Sequence, residues 1–147
     1  MIDVRFPTAL QIVLSLAVAA ETDARCTSAE LAAGLGTNPV LVRKLLAQLA
    51  PSGIVISTPG KNGGVRLGRS PELITLRDVY MAVAEEKKLF SVRSDVPSVC
   101  VVSTNILAFF GIVADQVDDL VLGHLEKATV ADSLKNIREI DSKHKNL

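Results

Sequence analysis

The fold is decided by residues 36–67, which read GTNPVLVRKLLAQLAPSGIVISTPGKNGGVRL. The first part predicts a helix over Pro39–Ala50, because a glycine permits the tight turn before it and proline suits its first position. Thr37 or Asn38 supplies the cap. Apolar residues recur at helical spacing, and polar side chains occupy another face. The apolar face consists of Val42, Leu45, Leu46 and Leu49, and the polar face consists of Arg43, Lys44 and Gln48.

A change of period after this helix predicts a β-hairpin. Two β-rich runs, residues 54–57 and 65–67, flank the glycine-rich sequence PGKNGG at 59–64. This pattern is typical of two antiparallel strands joined by a tight loop. Lys61 and Asn62 stand at the tip, and the glycine pair that follows lets the tip approach another molecule closely.

Helical patterns surround this stretch on both sides, so the fold class is mainly α with a small β-hairpin wing. The expected helices are Pro7–Ala20, a short helix capped by Thr27 or Ser28, Leu76–Ala84 capped by Thr75, a long helix over Thr104–Glu126, and a last amphipathic stretch over Val130–Ile140. We expect a winged helix-turn-helix domain over residues 1–85 and a linker or effector segment over 86–103. Residues 104–147 hold a dimerisation helix and a C-terminal helix.

The composition is that of a compact globular protein. The 147 residues are 48% apolar and 22% charged, with no net charge, which excludes disorder of the whole chain. Two cysteines provide neither a multi-bridge disulfide framework nor the ligands of a structural zinc site. The apolar run Ala9–Ala20 is too short to span a bilayer, and the acidic, proline-interrupted segment before it disfavours an export signal. We expect a cytoplasmic protein without a membrane partner.

The zero net charge conceals an uneven distribution of charge. Residues 1–69 carry seven basic and four acidic side chains, whereas residues 70–147 carry nine basic and twelve acidic ones. Between Glu30 and Glu72 there are five lysine or arginine residues and no carboxylate. A surface without anions approaches a polyphosphate at low electrostatic cost, which slightly favours a nucleic-acid partner.

The order of the elements is that of a winged helix-turn-helix, which binds double-stranded DNA. In such domains the second helix presents its N-terminal residues to base edges in the major groove, and the first helix crosses the backbone. We expect Arg43 to bind a guanine edge, Lys44 a phosphate, and the wing tip an adjacent minor groove or phosphate. The expected DNA-binding residues are Ser28, Thr37, Asn38, Pro39, Val42, Arg43, Lys44, Gln48, Lys61, Asn62, Gly63 and Gly64.

Four blocks of the sequence resemble the Rrf-two family of bacterial transcription regulators, also called BadM/IscR/NsrR/CymR. The blocks are GTNPVLVRKLL at 36–46, Leu49 with GIV at 53–55, Gly60 with GGVRL at 63–67, and ITLRDVY at 74–80. The resemblance covers residues 5–85 and, in layout, the C-terminal region. It implies a homodimeric, DNA-binding repressor or activator with recognition helix Pro39–Ala50, wing tip Gly60–Gly64 and dimerisation helix Thr104–Glu126.

Members of that family that bind an iron–sulfur cluster use three closely spaced cysteines after the helix with the ITLRDVY block. Here Cys100 is the only cysteine between residues 85 and 105, and His124 and His144 lie far downstream. One thiolate does not hold a cluster that needs four ligands, so we expect no iron–sulfur cluster, no other metal and no cofactor. The stretch SVCVVSTNI at 98–106 resembles the cluster-free branch of the family.

Two interpretations of the cysteines stay open. A buried free cysteine is commonly inert, whereas a redox sensor needs a lowered pKa and exposure. Cys100 precedes a predicted helix start, which can stabilise a thiolate, and thiol-based sensing occurs in the resembled family. Cys26 lies beside the helix-turn-helix and is a candidate partner within a dimer. We therefore name Cys100 and Cys26 as sensor candidates. The sequence identifies no effector molecule and no partner protein.

The long helix carries more apolar surface than one small lobe covers. A symmetric second copy is the simplest cover for such a stripe. The expected dimer interface consists of Ile106, Phe109, Phe110, Val113, Val117 and Leu120. A dimer also places two recognition helices about one DNA turn apart, or a multiple of it, on a palindrome.

The sequence has to be compared with three functions from different classes. A sequence-specific regulator of transcription agrees with all the features above; we expect a repressor, although the sequence itself does not distinguish repression from activation. A winged-helix module that binds protein instead of DNA is disfavoured by the carboxylate-free stretch and the intact wing. An enzyme is disfavoured because the sequence contains no nucleophile–base pair, carboxylate dyad, phosphate loop or metal cluster.

Overall fold

The computed structural model describes residues 3–85, 88–91 and 93–146. The helices in these ranges are α1 (Arg5–Ala20), α2 (Ser28–Leu35), α3 (Pro39–Leu49), α4 (Leu76–Val83), α5 (Val101–Glu126) and α6 (Val130–Lys145), and the strands are β1 (Val55–Thr58) and β2 (Gly64–Leu67). A short 3-10 helix, Pro71–Leu73, lies between β2 and α4. The predicted class, mainly helical with a small antiparallel hairpin, is confirmed.

Helix α1 begins at Arg5, two residues before the expected start at Pro7. The Asp3 carboxylate explains the earlier start, because its Oδ1 accepts the Arg5 backbone N–H at 2.9 Å and satisfies one free donor of the first turn. Along its inner face the helix buries Ala9, Ile12, Val13, Leu16 and Ala17. The apolar run at 9–20 therefore lies in a helix that builds the core.

Local side-chain chemistry decides where α2 and α3 begin and end. Thr27 caps α2 in a capping box with Glu30, whose backbone N–H donates to the Thr27 hydroxyl at 3.2 Å. Gly36 ends α2 with a φ of 62°, in the left-handed region that favours glycine. Asn38 caps α3 by accepting the Val40 N–H at 2.8 Å. At its C-terminal end α3 is one residue shorter than expected.

The wing pairs β1 with β2 in antiparallel register, with Val55 opposite Leu67. Val55 and Val65 are buried, so the inner face of the hairpin belongs to the core. The Val65 N–H donates to the Cys26 carbonyl at 2.7 Å, which ties β2 to the segment just before α2. The wing is thus held in a fixed position relative to the two helices of the helix-turn-helix.

Helix α5 begins at Val101, three residues earlier than expected. Cys100 is its N-cap: the thiol accepts the Ser103 N–H at 3.4 Å, and the Ser103 hydroxyl accepts the Cys100 N–H at 3.0 Å. Sequence reasoning missed this start because cysteine is not one of the strongly preferred caps. The first turn of α5 therefore lies inside the segment predicted as a linker, 86–103, of which residues 86, 87 and 92 fall outside the described ranges.

Helix α6 returns to the N-terminal half of the chain. Its second turn packs against α1, and Val130 at its start is fully buried. The Val130 N–H donates to the Ile74 carbonyl at 2.8 Å, and the Leu76 N–H donates to the Ala128 carbonyl at 3.0 Å. Helix α6 therefore shares a core with the helix-turn-helix. The expected boundaries 1–85, 86–103 and 104–147, which group α6 with α5, stay a prediction.

Helices α5 and α1 are the two candidates for a membrane-spanning helix, because α5 is long and α1 is apolar. Helix α5 is 26 residues long, and α1 is 16 residues long. Across the ranges 3–85, 88–91 and 93–146, no helix combines the length and the apolar character that crossing a bilayer requires.

Candidate nucleic-acid interface

Helix α3 presents one continuous stripe to solvent. The exposed side chains of the stripe are Val40, Arg43, Lys44 and Ala47, at spacing i, i+3, i+4 and i+7. The prediction that Val42 faces DNA is wrong, because Val42 is fully buried with the apolar residues of the opposite stripe. Sequence reasoning missed Val40 and Ala47, although their spacing from Arg43 and Lys44 places them on the same face.

The remaining expected residues of α3 lie at its two ends. Asn38 and Pro39 are exposed at its start and Thr37 is half-buried. The Asn38 side chain is occupied with its own helix cap, so the start of α3 is ordered before any ligand arrives. Gln48 is half-buried, and its Oε1 is enclosed without a hydrogen-bond donor from the described residues. That amide oxygen faces the protein rather than a ligand.

Lys44 is held by a carboxylate from outside the helix. Its Nζ lies 2.8 Å from Oε1 of Glu85, and Oε2 of the same carboxylate lies 2.7 Å from Nη1 of Arg5. The hydrogen bond from Lys44, followed by the one from Arg5, holds the pKa of Glu85 below its ordinary value. The charge that was predicted to meet a phosphate is therefore paired within the chain.

The wing tip presents Lys61 and Asn62 to solvent, as expected. Gly63 and Gly64 are half-buried, and their role is internal. A Cβ at Gly63 would overlap the Thr58 backbone oxygen and lie 2.8 Å from the Pro59 carbonyl carbon. A Cβ at Gly64 would lie 3.1 Å from the Cys26 backbone oxygen. The two glycines therefore let the hairpin fold tightly and let β2 approach the chain before α2.

Arg25 is a functional candidate that sequence reasoning missed. Its Nη1 donates to the backbone carbonyl of Asn62, so an arginine from the turn before α2 holds the tip of the wing. The side chain is exposed and brings a second cation to the side of the wing that carries Lys61. Its position outside the carboxylate-free stretch gave no reason to select it.

A groove of about 350 Å³ separates α3 from the wing. It brings together residues that are far apart in sequence: Ser28 from the start of α2, Arg43 from α3, and Gly60, Gly63 and Gly64 of the wing. Among the residues that the structure describes, none with a carboxylate side chain lines the groove, and residues 57–60 and 63–65 form one wall. Hydroxyl, guanidinium and backbone N–H groups are the donors that bind phosphate oxygens in protein–DNA contacts.

The two cysteines lie in different environments. Cys100 is exposed, and the Ser103 hydroxyl, followed by backbone N–H groups at the start of α5, holds the pKa of its thiol below the ordinary value. Cys26 is half-buried, and burial followed by the Glu30 carboxylate raises the pKa of its thiol. A lowered thiol pKa with exposure is the property of a reactive cysteine, and only Cys100 of the two combines them.

Helix α5 leaves large apolar side chains in solvent. Of the residues expected in a dimer interface, Phe109 is 61% and Leu120 is 74% exposed. The other four, Ile106, Phe110, Val113 and Val117, are half-buried. Phe110 is partly covered by the chain itself, because its ring meets the edge of Phe90 at a centroid distance of 6.1 Å. The dimer interface stays a prediction.

Comparison with protein families gives one match over nearly the whole chain. The model of the Rrf2 (Rrf-two) family, described as "Iron-dependent Transcriptional regulator", matches residues 2–136. The iron in this description does not fit the donor groups present here. Cys26 lies at the base of the wing and Cys100 at the start of α5, and the described residues contain no group of three or more His, Cys, Asp or Glu able to hold a metal ion. No step of the function is therefore assigned to iron.

The relatives agree with the family match. YwnA of Bacillus subtilis (strain 168), assigned by its name to the HTH-type transcriptional regulators, is 28% identical over 137 residues, 93% of this chain and 96% of that protein. A protein of known structure from Lactobacillus plantarum has the same fold with a TM-score of 0.75, at 23% identity over 98% of this chain and 99% of its own. T. potens IscR has a TM-score of 0.70, at 21% identity over 95% and 90% of the two chains. The chain with this cationic helix, groove and wing belongs to the Rrf2 family of transcriptional regulators.

Proposed function

We propose that this chain is a sequence-specific repressor that binds a palindromic operator as a homodimer through α3 and the wing. The observation that carries the proposal is the arrangement of the exposed stripe of α3 beside a wing, across a groove whose lining contains no carboxylate. A protein that occupies an operator blocks access to it without any further activating surface, which favours repression. A thiol signal at Cys100 modulates the affinity.

Base recognition falls to the first two turns of α3. Arg43 is exposed there, on the face that also borders the groove. A guanidinium offers two parallel donors to O6 and N7 of guanine, which is the commonest specific contact in the major groove. Arg43 therefore reads a guanine in each half-site.

The wing supplies affinity that does not depend on sequence. Lys61 and Arg66 are exposed on the hairpin, and Arg25 fixes its tip. Such cations bind phosphates next to the site read by the helix, and each phosphate that is neutralised releases counterions. Binding therefore weakens steeply with salt.

Dimerisation follows from the surface of α5. Phe109 and Ile112 are 61% and 60% exposed, and Leu120 is 74% exposed, on one helix of a small protein. Large exposed apolar side chains along one helix are typical of a surface that a partner covers, and a symmetric second copy is the commonest partner. Two copies present two recognition helices, which explains why the operator is a palindrome.

Modulation through Cys100 follows from its position. The thiol caps α5, and the N–H groups that it meets stabilise a thiolate. An oxidised sulfur no longer accepts the Ser103 N–H in the same way, so the first turn of α5 loses its cap. Because α5 carries the dimer surface, a change at its start alters the spacing of the two recognition helices.

The test selects bound duplexes from a random pool and measures their affinity across a salt series. Arg43→Ala should relax the preference at one base pair of each half-site and cost about 1–3 kcal/mol there. Lys61→Ala should weaken binding to all sequences alike and reduce the salt slope by about 0.9 per lost phosphate contact. Wild-type binding in both variants would show that α3 and the wing are not the DNA surface.

Two further arms test the dimer and the thiol. Phe109→Glu should lower the mass measured by light scattering from that of a dimer to that of a monomer, because it buries a carboxylate in an apolar contact. Peroxide treatment should change the operator affinity of the wild type and leave Cys100→Ser unaffected. A monomeric wild type, or an equal response to peroxide in both proteins, contradicts that part of the proposal.

A further inference from the structure

In the part of the chain that the structure describes, Val40 takes no part in packing the core. It is the second residue of α3 and 63% exposed, and it belongs neither to the core nor to the side chains packed against the core. Its neighbours Leu41 and Val42 both contact the core. Branching at Cβ also lowers the helix propensity of valine, so helix formation does not account for it either. Its apolar surface is directed outward.

The position of Val40 is rigid before any ligand binds. Oδ1 of Asn38 accepts the Val40 N–H at 2.8 Å and holds the first turn of the helix. Branching at Cβ restricts rotation about χ1, so the two methyl groups have few orientations available. Arg43 lies three residues further along the same exposed stripe. Together Val40 and Arg43 present one apolar group and one cation to the same ligand surface.

The chemistry of the major groove offers one group that matches this valine. The edges of guanine, adenine and cytosine carry hydrogen-bond donors and acceptors, whereas thymine adds a C5-methyl group. A valine side chain has no donor or acceptor, so contact with a polar edge would leave that edge unsatisfied. Contact with a phosphate is not favoured either, because valine offers no hydrogen-bond donor to the phosphate oxygens. Contact with a methyl group removes apolar surface of both partners from water.

We infer that Val40 packs on the C5-methyl group of a thymine and specifies thymine at one position of each operator half-site. The inference rests on the proposed function, in which α3 is the recognition helix. The inference adds the base that Val40 selects. Because Val40 and Arg43 lie within one turn of α3, the thymine should lie close to the guanine that Arg43 reads.

The test uses the full chain and a duplex selected from a random pool. Each thymine is replaced in turn by deoxyuridine, which removes the methyl group and nothing else. At one position per half-site the affinity of the wild type should fall about fourfold. This fold-change corresponds to the free energy of burying one methyl-sized group. Val40→Ala should bind thymine and uridine equally at that position. Val18→Ala, which changes a 45% exposed valine on α1, is the matched control and should respond like the wild type.

The reverse substitution gives an independent readout. Placing 5-methylcytosine instead of cytosine at the same position restores the methyl group on the wrong base. The wild type should bind the methylated duplex more tightly than the unmethylated one, and Val40→Ala should not distinguish them. Circular dichroism of each variant confirms that it is folded.

The outcomes separate this inference from the proposed function. If the wild type binds the selected duplex and tolerates uridine at every thymine, Val40 does not read thymine, while DNA binding stands. The same conclusion holds if Val40→Ala responds to uridine as the wild type does. If the wild type binds no duplex at low salt, the proposed function fails and the inference fails with it.

Discussion

The carboxylate of Glu85 holds the recognition-helix lysine Lys44 at 2.8 Å, across 41 positions of sequence. Glu85 lies just beyond the end of α4, where the chain leaves the helix-turn-helix toward α5. The ion pair therefore connects the exposed face of α3, which we propose as the DNA surface, with the segment that leads to Cys100. In this structure the carboxylate of Glu85 is paired with the ammonium group of Lys44 that we propose as a phosphate contact.

Removing this carboxylate should strengthen DNA binding. Glu85→Gln leaves Lys44 available for a phosphate, so the salt slope should steepen by about 0.9 per chain. The affinity should rise by up to about fivefold, which corresponds to the free energy that an exposed ion pair contributes. Glu21→Gln, which breaks the 2.6 Å ion pair with Arg138 between α1 and α6, is the control and should leave DNA binding unchanged. An equal gain in Glu85→Gln and in its double variant with Lys44→Ala would contradict this explanation.

The same ion pair should make stability depend on pH in the acid range. The pKa of Glu85 is lowered in the folded chain, so its pair stabilises the fold at pH values above the ordinary carboxyl pKa. This contribution is lost as the pH falls through the lowered folded-state pKa. Denaturant titrations of the wild type and Glu85→Gln should therefore converge at low pH and differ near neutrality. A difference that grows on acidification would have the wrong sign.

Cys100 should react with an alkylating agent before Cys26 does. The pKa of the Cys100 thiol is lowered and the pKa of the Cys26 thiol is raised, so at neutral pH more of the nucleophilic thiolate is present at Cys100. Mass spectrometry of the two cysteine peptides during iodoacetamide labelling measures both rates. Ser103→Ala removes the hydroxyl donor and should slow the labelling of Cys100 only. Faster labelling of Cys26 would reverse the assignment of the reactive thiol.

An alanine at Gly63 should damage the wing without unfolding the helices. Its Cβ would overlap the Thr58 backbone oxygen, so the tip of the hairpin has to open. We expect weaker binding to all DNA sequences with an unchanged helical signal in circular dichroism. Gly123→Ala is the matched control, because no described atom beyond the neighbouring residues and backbone of α5 lies within 4 Å of the added Cβ, and it should raise stability by about 0.5–1 kcal/mol. Unchanged DNA affinity in Gly63→Ala would mean that the wing tip is not involved.

Shortening Val130 should destabilise the helix-turn-helix as well as α6. Val130 is fully buried in the core shared with α1, so Val130→Ala should lower the free energy of unfolding by about 2 kcal/mol. Val18→Ala, on the exposed face of α1, should change it by less than about 0.5 kcal/mol. Urea unfolding followed by circular dichroism measures both. Unfolding of α6 in a separate, earlier transition would contradict a shared core.

Some features of the fold follow from neighbouring residues, and the sequence predicted these well. The N-caps Thr27 of α2 and Asn38 of α3, each one of two candidates that the sequence offered, and the turn at Gly36 depend on local side chains and the backbone next to them. The hairpin depends on a glycine-rich loop between two β-rich runs. The family resemblance rested on the same blocks, and the family match confirmed it.

Other features depend on residues that are distant in sequence, and only the tertiary structure decided them. Helical spacing had placed Val42 on the apolar face of α3, but only its packing in the core showed that it is fully buried and not available to a ligand, whereas Val40 lies in solvent. The partner of Lys44 comes from the end of α4, and the partner of the wing tip is Arg25. The start of α5 depends on a thiol and a hydroxyl that cap it together. A sequence pattern sets the spacing of side chains along an element, but rotation and charge pairing are set by the elements that pack against it.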